Sequence, residues 1–363
     1  MPPEDTIAPS AAGRQLKYCH AIREALDICL QADPTVYVMG LGVPDPKGVF
    51  DSTSGLQDRH GPARVLDMPA SENGIAGMAI GSAVAGMRPV IVHQRMDFAI
   101  LCFDQLVNQA AKWHYMFGGK AKVPLVMRMI VGRGWGQGSQ HAQSLQSWLA
   151  HVPGLKVIMP ATPHDAKGMM IAAIEDDNPV VSIEHRWLFN IDGPVPEGHY
   201  TTEIGRARII RPGRDVTVAA VSHMTIEAVR AAEFLAAEGI DAEVIDLRTL
   251  RPLDREALVD SVSRTGRLVV ADTGWKTFGA SAEIIATVTE RAFSALKSPP
   301  QRIALADISS PSTPALAEFF FPGVKEIVAA CRTVLGRPIL GVREWPGTGL
   351  PHDVPDNAFR GPF

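Results

Sequence analysis

Two stretches of the chain combine residue types that could do chemistry. The first runs Asp67-Met-Pro-Ala-Ser-Glu-Asn-Gly-Ile-Ala-Gly-Met-Ala-Ile-Gly-Ser-Ala-Val-Ala-Gly-Met-Arg-Pro-Val90, with Glu72 as the only acidic residue between Asp67 and Asp97. A lone carboxylate at the start of a small-residue helix has a plain structural reading, because it favours the positive end of the helix dipole. A functional reading stands beside it. The second stretch is the glycine-rich Gly132–Gly138, followed by Gln140-His141. Glycines after a strand let backbone approach a ligand. The segment lacks GxxxxGK[ST], and its spacing does not fit GxGxxG. Taken alone, His141 is either a hydrogen-bonded structural histidine or a proton-transfer group.

These residues need a scaffold, and the pattern around them supplies one. Short apolar strands, Val36–Met39, 64–67, 89–92, 124–130, 156–159 and 179–184, alternate with helical stretches at 16–32, 68–86, 103–117, 144–150 and 165–175. Ser71 stands where it can cap the helix that carries Glu72. A Pro- and Gly-bearing segment, 190–198, marks a linker. A second alternating unit follows, with strands at 216–221, 242–246, 267–271 and 302–307 and helices at 225–238, 280–291 and 324–334. Strands alternating with helices predict parallel sheets covered on both faces. The expectation is therefore α/β, two doubly wound domains: a disordered leader over 1–14, a first domain over 15–190, a linker over 191–200, a second domain over 201–338 and an extended arm over 339–363.

Composition narrows the class. The chain has 363 residues, 46% apolar and 20% charged, with a net charge of -4. That profile suits a globular protein and argues against one built around nucleic-acid phosphates. No apolar run approaches a membrane span, and the first residues do not read as a secretory signal. Cys19, Cys29, Cys102 and Cys331 show no metal-type spacing. Cys19 and Cys29 fall in one helix, about 15 Å apart along its axis and too far for a disulfide. Reduced, buried thiols in a cytoplasmic protein are expected.

Several motifs in order carry a resemblance. They are the Pro-Ala-Ser-Glu-Asn-Gly run just quoted, Phe103-Asp-Gln-Leu-Val-Asn-Gln-Ala-Ala-Lys112, Gln140-His-Ala-Gln143, His151-Val-Pro-Gly-Leu-Lys-Val-Ile-Met-Pro160, Ala166-Lys-Gly168, Glu175-Asp-Asp-Asn-Pro-Val180, Ile245-Asp-Leu-Arg-Thr-Leu-Arg-Pro-Leu-Asp254, Gly274-Trp275 and Phe278-Gly279-Ala280. Over roughly residues 15–335 the chain resembles the beta subunit of the first component of 2-oxo-acid dehydrogenases of the pyruvate, branched-chain and acetoin types, within the transketolase-like superfamily.

The resemblance implies a pyrimidine-binding domain followed by a transketolase C-terminal-like domain, with thiamine diphosphate shared between two subunits. Glu72 matches the carboxylate that hydrogen-bonds the ring nitrogen of the aminopyrimidine. That bond favours the imino form, whose nitrogen can take the thiazolium proton. Phe98 matches the aromatic residue that packs on the pyrimidine, and Ala70 joins the cofactor contacts; Phe98 also has an ordinary reading as a core residue at a strand end. His141 and Gln140 match the family's Gln-His-x-Gln, where the histidine serves intermediates near the substrate. Leu125, Ala173, Asp176 and Asn178 match positions that bind a structural potassium ion in some relatives. The family's alpha half carries Gly-Asp-Gly, which holds magnesium and the diphosphate. No Gly-Asp-Gly occurs here, and Ile191-Asp-Gly193 is only a partial match. The expected partners are an alpha-type subunit, a second copy of this chain in a heterotetramer, and a lipoyl-domain acyltransferase.

The chain departs from the family in places. The loop after the first strand usually reads Gly-Glu-Asp or Gly-Glu-Glu; here it is Gly40-Leu41-Gly42. Leu41 cannot carry a proton, so the relay assigned to that acid is absent. The stretch Val92-His93-Gln94-Arg95-Met96-Asp97-Phe98 is more polar than usual. By position it should lie near the cofactor, with His93 or Arg95 facing an anionic or polar substrate, or else forming a subunit contact. Glu184-His-Arg-Trp187 and the tail after residue 335 also lie outside the usual pattern.

The leading expectation is a heteromeric thiamine-diphosphate enzyme that decarboxylates a 2-oxo acid and passes the acyl unit to a lipoyl carrier. Two alternatives stay open. One is a split transketolase-like or carboligating enzyme with an aldehyde or sugar acceptor; the other is a non-catalytic scaffold subunit. A nicotinamide-binding doubly wound protein is excluded, because no GxGxxG follows a first strand.

Overall fold

The computed structural model describes residues 14–132 and 137–339. The remainder of the expected leader, 1–13, and of the expected arm, 340–363, lies outside the described residues.

The first sheet has seven strands, in the spatial order Thr249–Arg251, Lys156–Ile158, Val180–His185, Val126–Val131, Arg88–His93, Val36–Met39, Val65–Leu66. All neighbours are parallel except the first pair. Arg88–His93, Val126–Val131 and Val180–His185 are almost wholly buried. That is why they read as continuous Val, Ile and Met runs rather than alternating ones. One face is covered by Glu72–Val84, by the helical segments between Met96 and Met116 and by Gln146–His151, the other by Tyr18–Ala32 and Pro163–Glu175.

The second sheet runs Gln301–Leu305, Leu268–Trp275, Val216–Ala220, Ala242–Asp246, Arg208–Arg211, with an antiparallel edge at the last pair. His223–Ala237 and Val324–Val334 cover one face, Arg255–Thr265 and Ala280–Ala292 the other.

Several expectations are corrected. The first helix starts at Tyr18, not Leu16, because Gln15–Lys17 forms a strand. Its partner is Asp192–Pro194, inside the expected linker, in the register Gln15↔Pro194. Arg14, assigned to the leader, is tied down by Glu24 at 2.8 Å and by the Val195 and Pro196 carbonyls. Thr249–Arg251 comes from the second unit in sequence yet adds an antiparallel edge to the first sheet, so the two units are joined by main-chain hydrogen bonds. Instead of one amphipathic helix over 103–117 there is a 3-10 turn at Ile100–Cys102, a π-helix at Gln105–Ala110 and an α-helix at Ala111–Met116. The wide π turn brings Leu106, Ala110 and Ala111 into the core together. Ser71 occupies the N-cap position of Glu72–Val84, but its side chain makes no capping bond. The strand Arg208–Arg211 and the helices Arg255–Thr265 and Pro314–Phe320 had no counterpart in the sequence pattern.

Candidate active site

In the first sheet the chain goes from Val36–Met39 out to Val65–Leu66, then returns to the other side of Val36–Met39 as Arg88–His93. Such a reversal leaves a crevice beyond the carboxyl ends of the two strands, where ligands bind in open α/β sheets. A cleft lies there, lined by Gly40 and Leu41 after one strand, by His93 and Gln94 at the end of the other, and by Pro69, Ala70, Glu72 and Phe98. Gly40 is needed for the close approach, since a Cβ there would fall 2.4 Å from the Val92 carbonyl oxygen. Gln94 Nε2 donates to the Leu41 carbonyl at 2.8 Å and stitches the two strand ends together.

Glu72 is the first residue of its helix and half-buried. Among the described residues its carboxylate makes no hydrogen bond and no ion pair. A partly desolvated carboxylate without a partner is costly to keep, and it faces a cleft whose Leu41, Ile75 and Ile91 walls are apolar. His93 is 6% exposed, and burial pushes its pKa down to about 4, so the imidazole is neutral near pH 7. Its Nε2 lies 3.8 Å from the Cys102 thiol. Phe98, on the short helix Met96–Ala99, meets the His141 ring edge-on with centroids 5.5 Å apart. The loop bearing Gln140 and His141, both exposed, is tied to that helix by Gln143 Nε2 donating to Asp97 at 2.8 Å.

Glu72, Ala70, His93 and Phe98 therefore line one cleft, His141 reaches it through Phe98, and Gln140 stands next to it in the same loop. Arg95 is not among the lining residues. It turns toward Gln137 and Phe50. Gln94, Phe50 and Arg186 had no individual signal in the sequence, because their roles depend on neighbours distant in the chain.

The set linked to potassium is a different kind of place. The Leu125 carbonyl accepts from Val180 N at 2.9 Å. Asp176 pairs with Lys156 and accepts from Asn178, while Arg88 takes its carbonyl and that of Ile174. Ala173 is buried in the adjacent helix. Lys156 and Arg88 thus engage the Asp176 oxygens, and no step is routed through a potassium ion.

The described residues do not fit magnesium. Among them only Cys19, His20 and Asp51 gather metal-type ligand atoms, within 4.8 Å of one another. Burial holds the Cys19 thiol up at about 11, and Arg23 already pairs with Asp51. A magnesium ion requires oxygen ligands. The cleft, by contrast, fits one end of thiamine diphosphate: apolar walls and an aromatic side chain for a flat ring, and one carboxylate for a ring nitrogen.

Comparison with known proteins agrees with this geometry. Residues 14–190 match the transketolase pyrimidine binding domain, and residues 205–327 match the transketolase C-terminal domain. The beta subunit of acetoin:2,6-dichlorophenolindophenol oxidoreductase of Cupriavidus necator is 42% identical over 89% of this chain and 98% of that protein. The mitochondrial pyruvate dehydrogenase E1 component subunit beta-2 of Oryza sativa is 41% identical over 92% of this chain and 89% of that protein. A solved structure described as a split gene transketolase, inactive beta4 tetramer, superposes with a TM-score of 0.72 and 26% identity, covering 88% of this chain and 99% of that one. The lone carboxylate in its switch-point cleft thus has a family context: the chain belongs to the beta subunits of the pyruvate and acetoin dehydrogenase first components, built from transketolase pyrimidine-binding and C-terminal domains.

Proposed function

We propose that the chain is the beta subunit of a heteromeric thiamine-diphosphate-dependent enzyme that decarboxylates a 2-oxo acid and passes the acyl unit to a lipoyl carrier. The observation that carries this reading is the Glu72 carboxylate, without a partner among the described residues, in the cleft that also holds Phe98. Bound thiamine diphosphate supplies a carbon nucleophile that adds to a keto group and stabilises the negative charge left by decarboxylation. Glu72 holds or shares a proton at the ring nitrogen, a task open to a carboxylate and closed to an amide. Phe98 packs on the ring, and Ala70 borders it without crowding. The neutral His93 contributes polarity without charge, and His141 with Gln140 moves protons where the substrate enters. With Leu41 in place of an acid, the strand-end loop carries no proton.

The apolar switch-point cleft offers one half of a cofactor site, and the lack of a Gly-Asp-Gly in the sequence supports a reading in which magnesium and the diphosphate sit on an alpha-type partner. A second copy of this chain completes a heterotetramer, and a lipoyl-domain acyltransferase is the acceptor's carrier. Four free, buried cysteines support a reducing, cytoplasmic setting. No helix among the described residues is long and apolar enough to cross a membrane.

Co-expression with the alpha-type chain, followed by a screen of 2-oxo acids for cofactor-dependent decarboxylation, tests the reading. Decarboxylation that requires both chains is expected. Two-carbon transfer from sugars without any 2-oxo-acid turnover would replace it with the carboligating alternative.

A further inference from the structure

The two strands that lead into the cofactor cleft begin at a cavity of about 220 Å³, lined by their first residues, Val36 and Arg88. A cavity of about 150 Å³ already accepts benzene, so this one has room for a ring with a short arm. Its inner wall is apolar. Ile28 and Cys29 come from the helix Tyr18–Ala32, and Ile174 comes from the helix Pro163–Glu175. Cys29, Val36 and Ile174 are buried, whereas the Asp33 and Glu175 side chains at the rim are 39% and 50% exposed.

The rim is electronegative for two separate reasons. Both helices end here, and neither has a basic residue in its last turn. A helix C-terminus carries partial negative charge, which these two ends leave without a cation of their own. The carboxylates add to it. Asp33 Oδ1 accepts from Thr35 N and Oγ1, both at 2.7 Å, while Oδ2 accepts no hydrogen bond among the described residues. Glu175 Oε1 lies 2.6 Å from His199 Nε2, and Oε2 has no hydrogen-bond partner among the described residues. Arg88 also lines the cavity, but its donors are committed. Nη1 donates to the Ile174 and Asp176 carbonyls at 3.0 and 3.1 Å, and Nη2 donates to Asp177 at 2.9 Å. Its Nε stays 3.8 Å from Asp33 Oδ2. The field of the rim reaches the wall: burial, then Glu175 and then Asp33, push the Cys29 thiol up to about 12.

We propose that this cavity binds a small organic cation with an apolar body, a primary amine carried on a ring or a short alkyl chain. The apolar body covers Ile28, Val36 and Ile174. The ammonium, with three donors, serves the open Asp33 and Glu175 oxygens between the two helix ends. The site is independent of the cofactor reading, since its test reads ligand binding to this chain and not turnover.

The test is calorimetric titration of the full-length chain with benzylamine, and separately with benzyl alcohol and benzoate, at low ionic strength. Saturable benzylamine binding at one site per chain is expected, with the alcohol and the carboxylate at least about tenfold weaker. Glu175→Gln and Asp33→Asn should each weaken benzylamine about three- to fivefold, as suits half-exposed partners, and Glu290→Gln should leave it unchanged. Ala32 is exposed and lines the cavity, so Ala32→Trp should fill the space and abolish binding. Should that variant not fold, Ala32→Leu is expected to weaken binding in the same direction. No saturable benzylamine binding to the wild-type chain would overturn the proposal. So would equal binding of benzyl alcohol or benzoate, or benzylamine binding that survives in the folded Ala32 variants.

Discussion

The two sheets share the order of four parallel strands around a switch point, yet the switch points are put to opposite use. In the first, the strand ends at Met39 and His93 open onto a cleft with Glu72, which has no partner among the described residues. In the second, the reversal falls between Val216–Ala220 and Leu268–Trp275. The pocket beyond those ends is lined by His223, Met224, Asp272 and Thr273, but also by Gly132, Ala142, Ser144 and His185 from the first unit. Asp272 is fully buried there and accepts from Gln146 Nε2 at 2.7 Å, Gly274 N at 3.1 Å and Ser281 N at 3.3 Å. A crevice that could take a ligand has become a junction between units. The two ends differ in their carboxylates: Asp272 accepts hydrogen bonds from both units, while Glu72 accepts none among the described residues.

Substitutions at the two ends should therefore fail in different ways. The largest expected effect is on stability. Asp272→Ala strands several buried neutral donors from both units at about 1–3 kcal/mol each, and the protein should lose on the order of 3 kcal/mol or more with a lower thermal midpoint in calorimetry. An unchanged midpoint would mean the junction is incidental. His141→Ala should do the opposite. The side chain is exposed, so stability should hold, while turnover in the assembled complex falls about 10²-fold; steady-state kinetics reads this directly.

A third expectation concerns pH. Burial raises the Asp246 pKa from the usual 3.8 to about 7, helped by Asp165 and opposed by Arg248. The folded state therefore holds this proton more tightly than the unfolded chain does. The stabilisation is complete below pH 3.8 and is lost as pH rises through about 7, by up to about 1.4 kcal/mol per pH unit. Unfolding midpoints across that window should decline in the wild type and flatten in Asp246→Asn. The smallest effect is expected at Leu41, which is 47% exposed at the cleft mouth. Leu41→Glu should shift stability by less than about 0.5 kcal/mol, and turnover changes in the complex should stay within a few-fold.

Much of this contrast was legible in the sequence, for identifiable reasons. Glu72 stood out because the helix behind it is nearly all small residues, and the buried strands stood out because parallel sheets covered on both faces read as apolar runs. The second unit's contribution to the first sheet was not legible. Thr249-Leu-Arg251 is too short to carry a period, and its pairing with Lys156–Ile158 is decided by packing. The strand hidden in the expected linker escaped notice because Asp192-Gly-Pro194 has turn-like composition. Phe50 escaped for a different reason: its place under Arg95 and Arg186 joins residues far apart in the chain.

The most direct test of the central claim is Glu72→Gln, measured in complex with the alpha-type partner. The substitution keeps the shape and hydrogen-bonding reach of the side chain while removing its ability to follow a proton. The account predicts that cofactor-dependent decarboxylation falls by about 10²–10⁴-fold while the unfolding free energy of the complex stays within about 0.5 kcal/mol of wild type. Full activity in Glu72→Gln would contradict it and would reduce the open cleft to a second structural junction.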